Sequence, residues 1–464
     1  ELLLRKDYRA DWESEVKEEY TYFTQGRFES LFASLGLRVL ASTPIRNPWI
    51  LRNRLEGKVE IWDLDGRRLD MPATNYVIVG EKVPPGEGVR FRQARLREPL
   101  GFLSMEHYLD VRDGRVMDLV RRPNRTLDVL PWFETDGDLF VLARMSYPRP
   151  ILCCDEVSAT PIDGARAAGY VTAPLNVIQS DKPMGQTVEE ALRDRAGIES
   201  ADIRAFMPGG TYYPSPGGVQ EEVRSALVEV KPVFVKEPLA DLTGLSTSGR
   251  VRAIEARQLL RAAQVGGLPD ARLELNVYEL LRRLGRSAGP WIGEAIALES
   301  GEEPPIVTTM EALGDRPSRR CYRAVPPERT GGFLDLRCAE LEELDAEGHV
   351  VASKALELVV PRKLSTHTVA CALLLRRGDE VLLGLDDDDL PAAQCWNGNS
   401  EILVAPAWRL PRSVTAIWSA REWIGERLAK EYELTLGRSW ELGGRYHPSP
   451  GATPEVVYPL AIEV

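Results

Sequence analysis

No apolar run in the 464 residues approaches the roughly 18 that a membrane span needs, so a membrane partner is not expected. The amino-terminal ELLLRKDYRADW is no secretory signal either, because its short apolar stretch runs at once into charge. Cationic excess is lacking too: 58 Lys and Arg face 70 Asp and Glu, for a net charge of −12. Without a dense basic face to neutralise phosphates, a general nucleic-acid partner is excluded. Only four histidines and six cysteines occur, at 153, 154, 321, 338, 371 and 395, and no C-x-x-C pair among them suggests structural zinc. Thiols without a disulfide pattern fit a reducing, cytoplasmic setting. There is no Walker-type G-x4-G-K-[ST], and the one G-x-G, Gly86-Glu87-Gly88, lies in a Pro-rich stretch rather than after a strand. An initiator Met is absent and the last residues, VVYPLAIEV, stop inside an expected strand, so the chain reads as a fragment cut at both ends.

What the chain does have is an internal repeat, the feature that most constrains a fold. Gly209-Gly210-Thr211-Tyr212-Tyr213-Pro214-Ser215-Pro216-Gly217 returns as Gly443-Gly444-Arg445-Tyr446-His447-Pro448-Ser449-Pro450-Gly451, an offset of 234. After the last Gly of each loop three residues intervene before a Glu, Glu221 or Glu455, and an apolar strand follows. Gly101-Phe102-Leu103 pairs with Gly332-Phe333-Leu334, and Ala173-Pro174 with Ala405-Pro406, at offsets of 231 and 232. Asp136-Gly137 and Gly378-Asp379 each separate two apolar runs, as hairpin turns do. The near-constant offset implies a duplicated unit.

The order within each copy is a hairpin, an Ala-Pro strand, an amphipathic helix, then GG-aromatic-x-PSPG and a Glu. This resembles the Nudix family, and most closely its ADP-ribose pyrophosphatase branch. The resemblance spans residues 93–285 and 286–464, the second copy being truncated at its C-terminus. It includes Gly267-Leu268-Pro269-Asp270, which begins a helix with Leu273, Val277, Leu280, Leu281 and Leu284 on one face. It implies two α/β/α sandwich domains, a nucleoside diphosphate derivative as substrate, Mg²⁺ as cofactor and, since such relatives often pair, a homodimer. In that family a carboxylate-rich helix gathers divalent metal, which neutralises a diphosphate and activates water.

The helical box G-x5-E-x7-R-E-U-x-E-E-x-G-U is depleted here. In the first copy Asp194 stands for the first Glu of the pair, Arg195 replaces the second, Glu190 holds the Arg position and Lys182 the upstream Glu. In the second, Lys430 replaces the first Glu, Glu431 keeps the second, and Glu433 takes the place of the box Gly. The metal candidates are therefore Asp194, Glu190 and Glu431, beside cations that repel a metal ion. The resemblance makes Glu221, Glu222 and Glu455 the candidates for base or metal ligand. Tyr212, Tyr213, Ser215 and Gly217, with Tyr446, His447, Ser449 and Gly451, are the candidate ligand-binding residues. Each has a plainer reading as a packed tyrosine, a hydrogen-bonded loop histidine or a strand-start carboxylate. The run Asp386-Asp387-Asp388-Asp389 lacks the alternation and Gly of a calcium loop and reads as a solvated turn.

Residues 1–92 differ in character. LLLRKDY, FTQGRFESLFASLGL and NYVIVGEK read as strand, helix and strand, and they resemble the C-terminal part of a class I S-adenosylmethionine methyltransferase. The Gly-rich cofactor loop of such a domain would precede residue 1, so S-adenosylmethionine is expected only with that part present. The whole is expected to be α/β (α+β), a partial Rossmann-like piece followed by two Nudix-fold units. Two functions compete: a Nudix-type hydrolase with degenerate boxes fused to a methyltransferase, or a catalytically inactive ligand-binding or scaffold module that regulates it.

Overall fold

In the chain's computed structural model, residues 25–464 are described except 46–47, 56, 59, 63–65, 67, 70–72, 74, 84–86, 123–124, 147–148, 154–160, 165–170, 180, 234, 237–250, 268–269 and 300–318. The expected strand at ELLLR lies outside the described residues. The protein is a mixed α/β structure with several sheets. Near its start, α1 (Gln25–Ser34) precedes β1 (Leu37–Ile45), which pairs antiparallel with β2 (Asn75–Lys82). Arg38, 2% exposed, leaves this hairpin to donate to the Gly88 carbonyl and to Glu343, fixing the segment to the next sheets. A side chain at Gly88 would fall 2.1 Å from Cγ of Glu343, so the close approach itself requires glycine there.

Next along the chain come β3 (Arg90–Arg97), β4 (Ser104–Asp110) and β5 (Val116–Arg121). The first large sheet is built on β6 (Thr126–Thr135) and β7 (Asp138–Ser146). Their turn has φ of 52° at Asp136 and 86° at Gly137, the two positive values that the twist of a two-residue hairpin demands. β8 (Leu175–Ile178) pairs with the first half of β6, and β7 with its second half. Pro131 falls in the gap between those two pairings, where a missing N–H breaks no ladder on that side. After α2 (Met184–Ala196) come β9 (Ile203–Tyr212) and β10 (Val223–Val230), and β10 runs parallel to β6. β11 (Val251–Glu255), α3 (Ala256–Gln264) and α4 (Ala271–Arg283) complete the unit.

Alternation along these strands feeds two cores. Leu127, Val129 and Phe133 of β6 pack toward Val188, Ala191 and Leu192 of α2. Leu130 and Trp132 pack toward Leu259 and Leu260 of α3 and Leu273, Val277 and Leu280 of α4. A strand buried on both faces explains why residues 126–133 show no polar–apolar alternation in exposure.

The second unit repeats the course. β12 (Leu334–Leu344) and β13 (Val350–Pro361) form its leading hairpin. Then come β14 (His367–Arg377), β15 (Glu380–Gly384), β16 (Ala407–Arg409), α5 (Ile417–Tyr432), β17 (Ser439–Glu441) and β18 (Val456–Glu463). As in the first sheet, β14 takes a hairpin partner on its second half, the Ala-Pro strand on its first half, and a parallel return strand, β18. Ile417, Ala420, Ile424 and Leu428 of α5 pack on Val369, Cys371 and Leu373. A second helical layer like α3 and α4 is not found among the described residues of this unit. Asp386–Asp389, expected as a turn, is instead a short strand paired with Glu401–Val404. These aspartates have partners beyond the strand: Asp386 accepts from the Tyr432 hydroxyl, Asp387 pairs with Arg319 at 3.2 Å, and Asp389 accepts from Ser400.

The two units exchange leading strands. β3, ahead of the first hairpin, pairs with β12 of the second. Tyr322–Val325, ahead of the second hairpin, pairs with β4 of the first. Asp118 of β5 accepts from the backbone N–H groups of Gly331, Phe333 and Leu334, while Glu357 of β13 accepts from those of Leu100, Gly101 and Leu103. The repeated Gly-Phe-Leu is thus a backbone clasp held in each case by a buried carboxylate of the other copy.

Candidate functional site

The two PSPG loops meet each other across this junction. Ser215 donates to Glu455 Oε2 at 2.6 Å, and Ser449 donates to Glu221 Oε2 at 2.8 Å. The other oxygen of each glutamate is held within its own unit by a threonine at the start of the parallel strand. Thr126 reaches Glu221 at 3.0 Å and Thr368 reaches Glu455 at 2.7 Å. Cations close both sites, Arg122 and Arg272 on Glu221, and Arg409 on Glu455 at 2.9 Å. Glu221 is 1% exposed and Glu455 6%.

Arg272, from the first turn of α4, joins this pair to a second carboxylate. Its Nε and one terminal nitrogen both donate to Asp128 of β6, at 2.9 and 2.5 Å. Asp128 also accepts from the Tyr212 hydroxyl and from Asn176. Burial drives the Tyr212 phenol well up, reinforced by Asp128, so Tyr212 acts as a neutral donor. Burial alone would raise Glu221 as well. Arg122 and Arg272, with Ser449 and Thr126, outweigh it and bring the carboxyl down to about 2. Asp270 caps α4 by accepting from the Leu273 N–H at 2.9 Å. Burial pushes its carboxyl up to about 7 against the pull of Arg272.

The second loop completes this cap, since the His447 carbonyl accepts from the Ala271 N–H. The His447 ring lies 3.1 Å from the Glu455 carbonyl through Nδ1. Burial and then Arg445 bring it down to about 3, which leaves it uncharged at neutral pH and unsuited to meeting a phosphate as a cation. Burial likewise raises the Tyr446 phenol. The Gly-Gly of this loop has a steric cause. A side chain at Gly444 would stand 2.3 Å from Cα of Gly266, at the end of α3 in the other unit. In the first loop, Gly209 faces Ser225 across the sheet, where a Cβ would meet Ser225 Cβ at 2.5 Å. Gly217 and Gly451 have open space instead. Glu222 turns away from Glu221 to Arg125 at 2.7 Å and Arg224 at 3.1 Å, with the Tyr213 hydroxyl at 3.4 Å.

The box carboxylates stay apart from this cluster. Glu190 is paired with Lys182 at 2.7 Å, and that hydrogen bond lowers its pKa. Asp194 meets Arg193 at 3.0 Å on the exposed side of α2. Glu431 is held by Arg427 and by the Trp408 indole at 2.9 Å. Among the described residues, the only trio of metal-ligating side chains with atoms mutually within 4.8 Å is Asp345, Glu347 and His349, in an open turn. The structure therefore does not assemble Glu190, Asp194, Glu221 and Glu222, nor Glu431 and Glu455, into a metal-binding group. Each of these carboxylates already serves a cation, a hydroxyl or an indole, so the donor set does not fit the Mg²⁺ that the resemblance implied. Gly88 of the lone G-x-G is packed on Glu343.

One box position keeps its backbone role. Gly197 ends α2 with φ of 61°, and Glu433 ends α5 with φ of 55°, the same left-handed cap without the glycine that suits it. Sequence reasoning missed Asp128, Arg122, Arg272, Thr368 and Arg409. Asp128 is a charged residue inside an apolar stretch, a signal that points to buried pairing. No family model matches the chain, and comparison with curated proteins finds no match.

Proposed function

We propose that the two units form a non-hydrolytic, Nudix-like ligand-binding or scaffold module that regulates a methyltransferase of which residues 1–92 are the C-terminal part. The observation that carries this reading is the reciprocal pair Ser215–Glu455 and Ser449–Glu221, with Arg122, Arg272 and Arg409 around it. A general base must be free to take a proton, and its pKa should lie near the working pH. A carboxylate at about 2, with both oxygens occupied, meets neither condition. The same groups serve well as the fastening between two halves. The sheet order, with a hairpin, a crossing Ala-Pro strand, one helix and a parallel return strand in both copies, supports the Nudix-like reading of the fold.

The test is hydrolysis of ADP-ribose and nucleotide sugars with Mg²⁺ or Mn²⁺ by the wild-type chain, Glu221→Gln and Glu455→Gln. The expected result is no turnover above the protein-free rate in any of the three. Wild-type turnover that falls by roughly 100-fold or more in a folded Glu→Gln variant would establish the hydrolase reading and end this one.

A further inference from the structure

The duplication lets one unit show what the other lacks. Thr126 and Thr368 open their parallel pairings at the same point, each opposite a valine of the return strand, Val223 or Val457. Counted from them, Trp132↔Val141 and Leu374↔Leu383 are the same hairpin pair. Leu139, Val141 and Ala143 of the first unit therefore correspond to Val381, Leu383 and Leu385 of the second. The first three belong to the core beneath α3 and α4, at 2%, 0% and 1% exposed. Their counterparts are 59%, 56% and 44% exposed. Val369, Cys371 and Leu373 of β14 pack under α5, so the alternate residue Leu374 and its pair Leu383 take the opposite face.

The edge differs as well. β7 is flanked by β11, whose residues Val251 to Glu255 pair with Arg144 to Phe140. Among the described residues, β15 pairs with β14 and with no second strand. Single apolar residues scattered on a surface need no explanation. Three together on one face of an open edge strand do, because such an edge invites pairing and is ordinarily covered or charged.

What covers this place in the first unit indicates the kind of partner. β11 runs directly into α3, whose Ala256, Leu259, Leu260 and Ala263 are buried. The matching occupant is an edge strand that leads into a short amphipathic helix, combining strand addition with a helix laid on the adjoining face. Charge selects further. At the level where β11 begins beside Arg144, the second unit has Asp386, and Asp386–Asp389 continue the edge as an acidic rim. Residues 251–264 carry Arg252, Arg257 and Arg261 against one acid, Glu255, which is the sign that suits such a rim. A second copy of the chain fits less well, since three side chains fall short of the ~800 Å² per partner that a stable dimer needs.

We propose that the open β15 edge, with the face of Val381, Leu383 and Leu385, docks a basic strand–helix segment of a partner protein, the counterpart in trans of Val251–Gln264. The assignment deepens the scaffold reading by naming its partner, and it rests on that reading only for its regulatory meaning. Absent docking alongside absent hydrolysis removes this surface and leaves the module standing. Hydrolysis that depends on Glu221 removes the module and leaves the docking surface to the same measurement.

The probe is a fluorescein-labelled synthetic peptide of residues 251–264, titrated with the full 464-residue chain and followed by fluorescence anisotropy. Saturable binding in the micromolar range is expected. Leu383→Asp in the chain should weaken it roughly tenfold or more, as should Leu259→Asp in the peptide, and Arg252→Glu in the peptide should weaken it roughly fivefold. Leu383 is more than half exposed, so its substitution leaves the fold intact. No binding at about 100 μM chain would overturn the proposal. So would equal affinity for a Leu383→Asp chain that melts like the wild type, or for the Arg252→Glu peptide. A wild-type chain that sediments as a dimer while Leu383→Asp sediments as a monomer would give the face to a second copy and overturn it too.

Discussion

Replacing Glu221 by Gln should remove more stability at neutral pH than in acid, and the structure sets both amounts. The side chain is 1% exposed and lies between Arg122 and Arg272. Its carboxyl sits at about 2 in the folded chain against an ordinary 4.5. At about 1.4 kcal/mol per pH unit, that drop is worth about 3 kcal/mol wherever the carboxyl is ionised in both states. The folded value is the lower one, so this contribution is complete above pH 4.5 and disappears as pH falls through 2. At about pH 3.5 roughly 2 kcal/mol of it remains by the same relation. The neutral Gln leaves two buried guanidiniums short of an anion, and breaking such a pair costs about 3–5 kcal/mol. Urea unfolding followed by far-UV circular dichroism should therefore separate wild type and Glu221→Gln by about 3 kcal/mol at about pH 7 and by visibly less at about pH 3.5. A gap under about 1 kcal/mol at neutral pH, or one that widens on acidification, would refute the account of Glu221 as the junction's ionised fastening.

Two other substitutions have outcomes set by helix ends. Asp270 has its folded value raised to about 7, so its contribution is complete below the ordinary 3.8 and is lost as pH rises through 7. Asp270→Asn keeps an oxygen for the Leu273 N–H and should flatten the decline in stability between about pH 4 and pH 7. An unchanged pH profile in thermal melts would show that Asp270 is not protonated in that window. Glu433→Gly should stabilise the chain by about 0.5–1 kcal/mol, because it gives the left-handed cap of α5 the residue that Gly197 gives α2. A loss of stability in urea unfolding would mean that the Glu433 side chain outweighs its backbone strain.

The parts of this fold legible in the sequence are those written in neighbouring residues. Asp136-Gly137 announces its turn, Leu273 to Leu281 announce the buried face of α4, and Asp270 announces its cap. The repeated loop is legible as a repeat but not as a contact. Ser449 and Glu221 are 228 residues apart and Ser215 and Glu455 are 240 apart, so no local pattern ties them. Within one copy, a Glu four residues after Ser-Pro-Gly reads equally well as solvent-facing or catalytic. The cation that decides between those readings, Arg272, comes from a helix that begins after a further strand and helix. The exchange of β3 and Tyr322–Val325 is hidden for the same reason, since each strand lies beside its own hairpin in sequence and pairs with the other.

The reciprocal fastening has a consequence for how such a chain can change. In a dimer of identical subunits every substitution at the junction appears twice, and a change tolerable on one side must be tolerable on both. Here the two sides are written separately. Glu221 is neutralised by Arg122 and Arg272, and Glu455 by Arg409, so one contact is served by unlike residues. Covalent tandem linkage thus lets two halves that fit together as near-equals specialise independently.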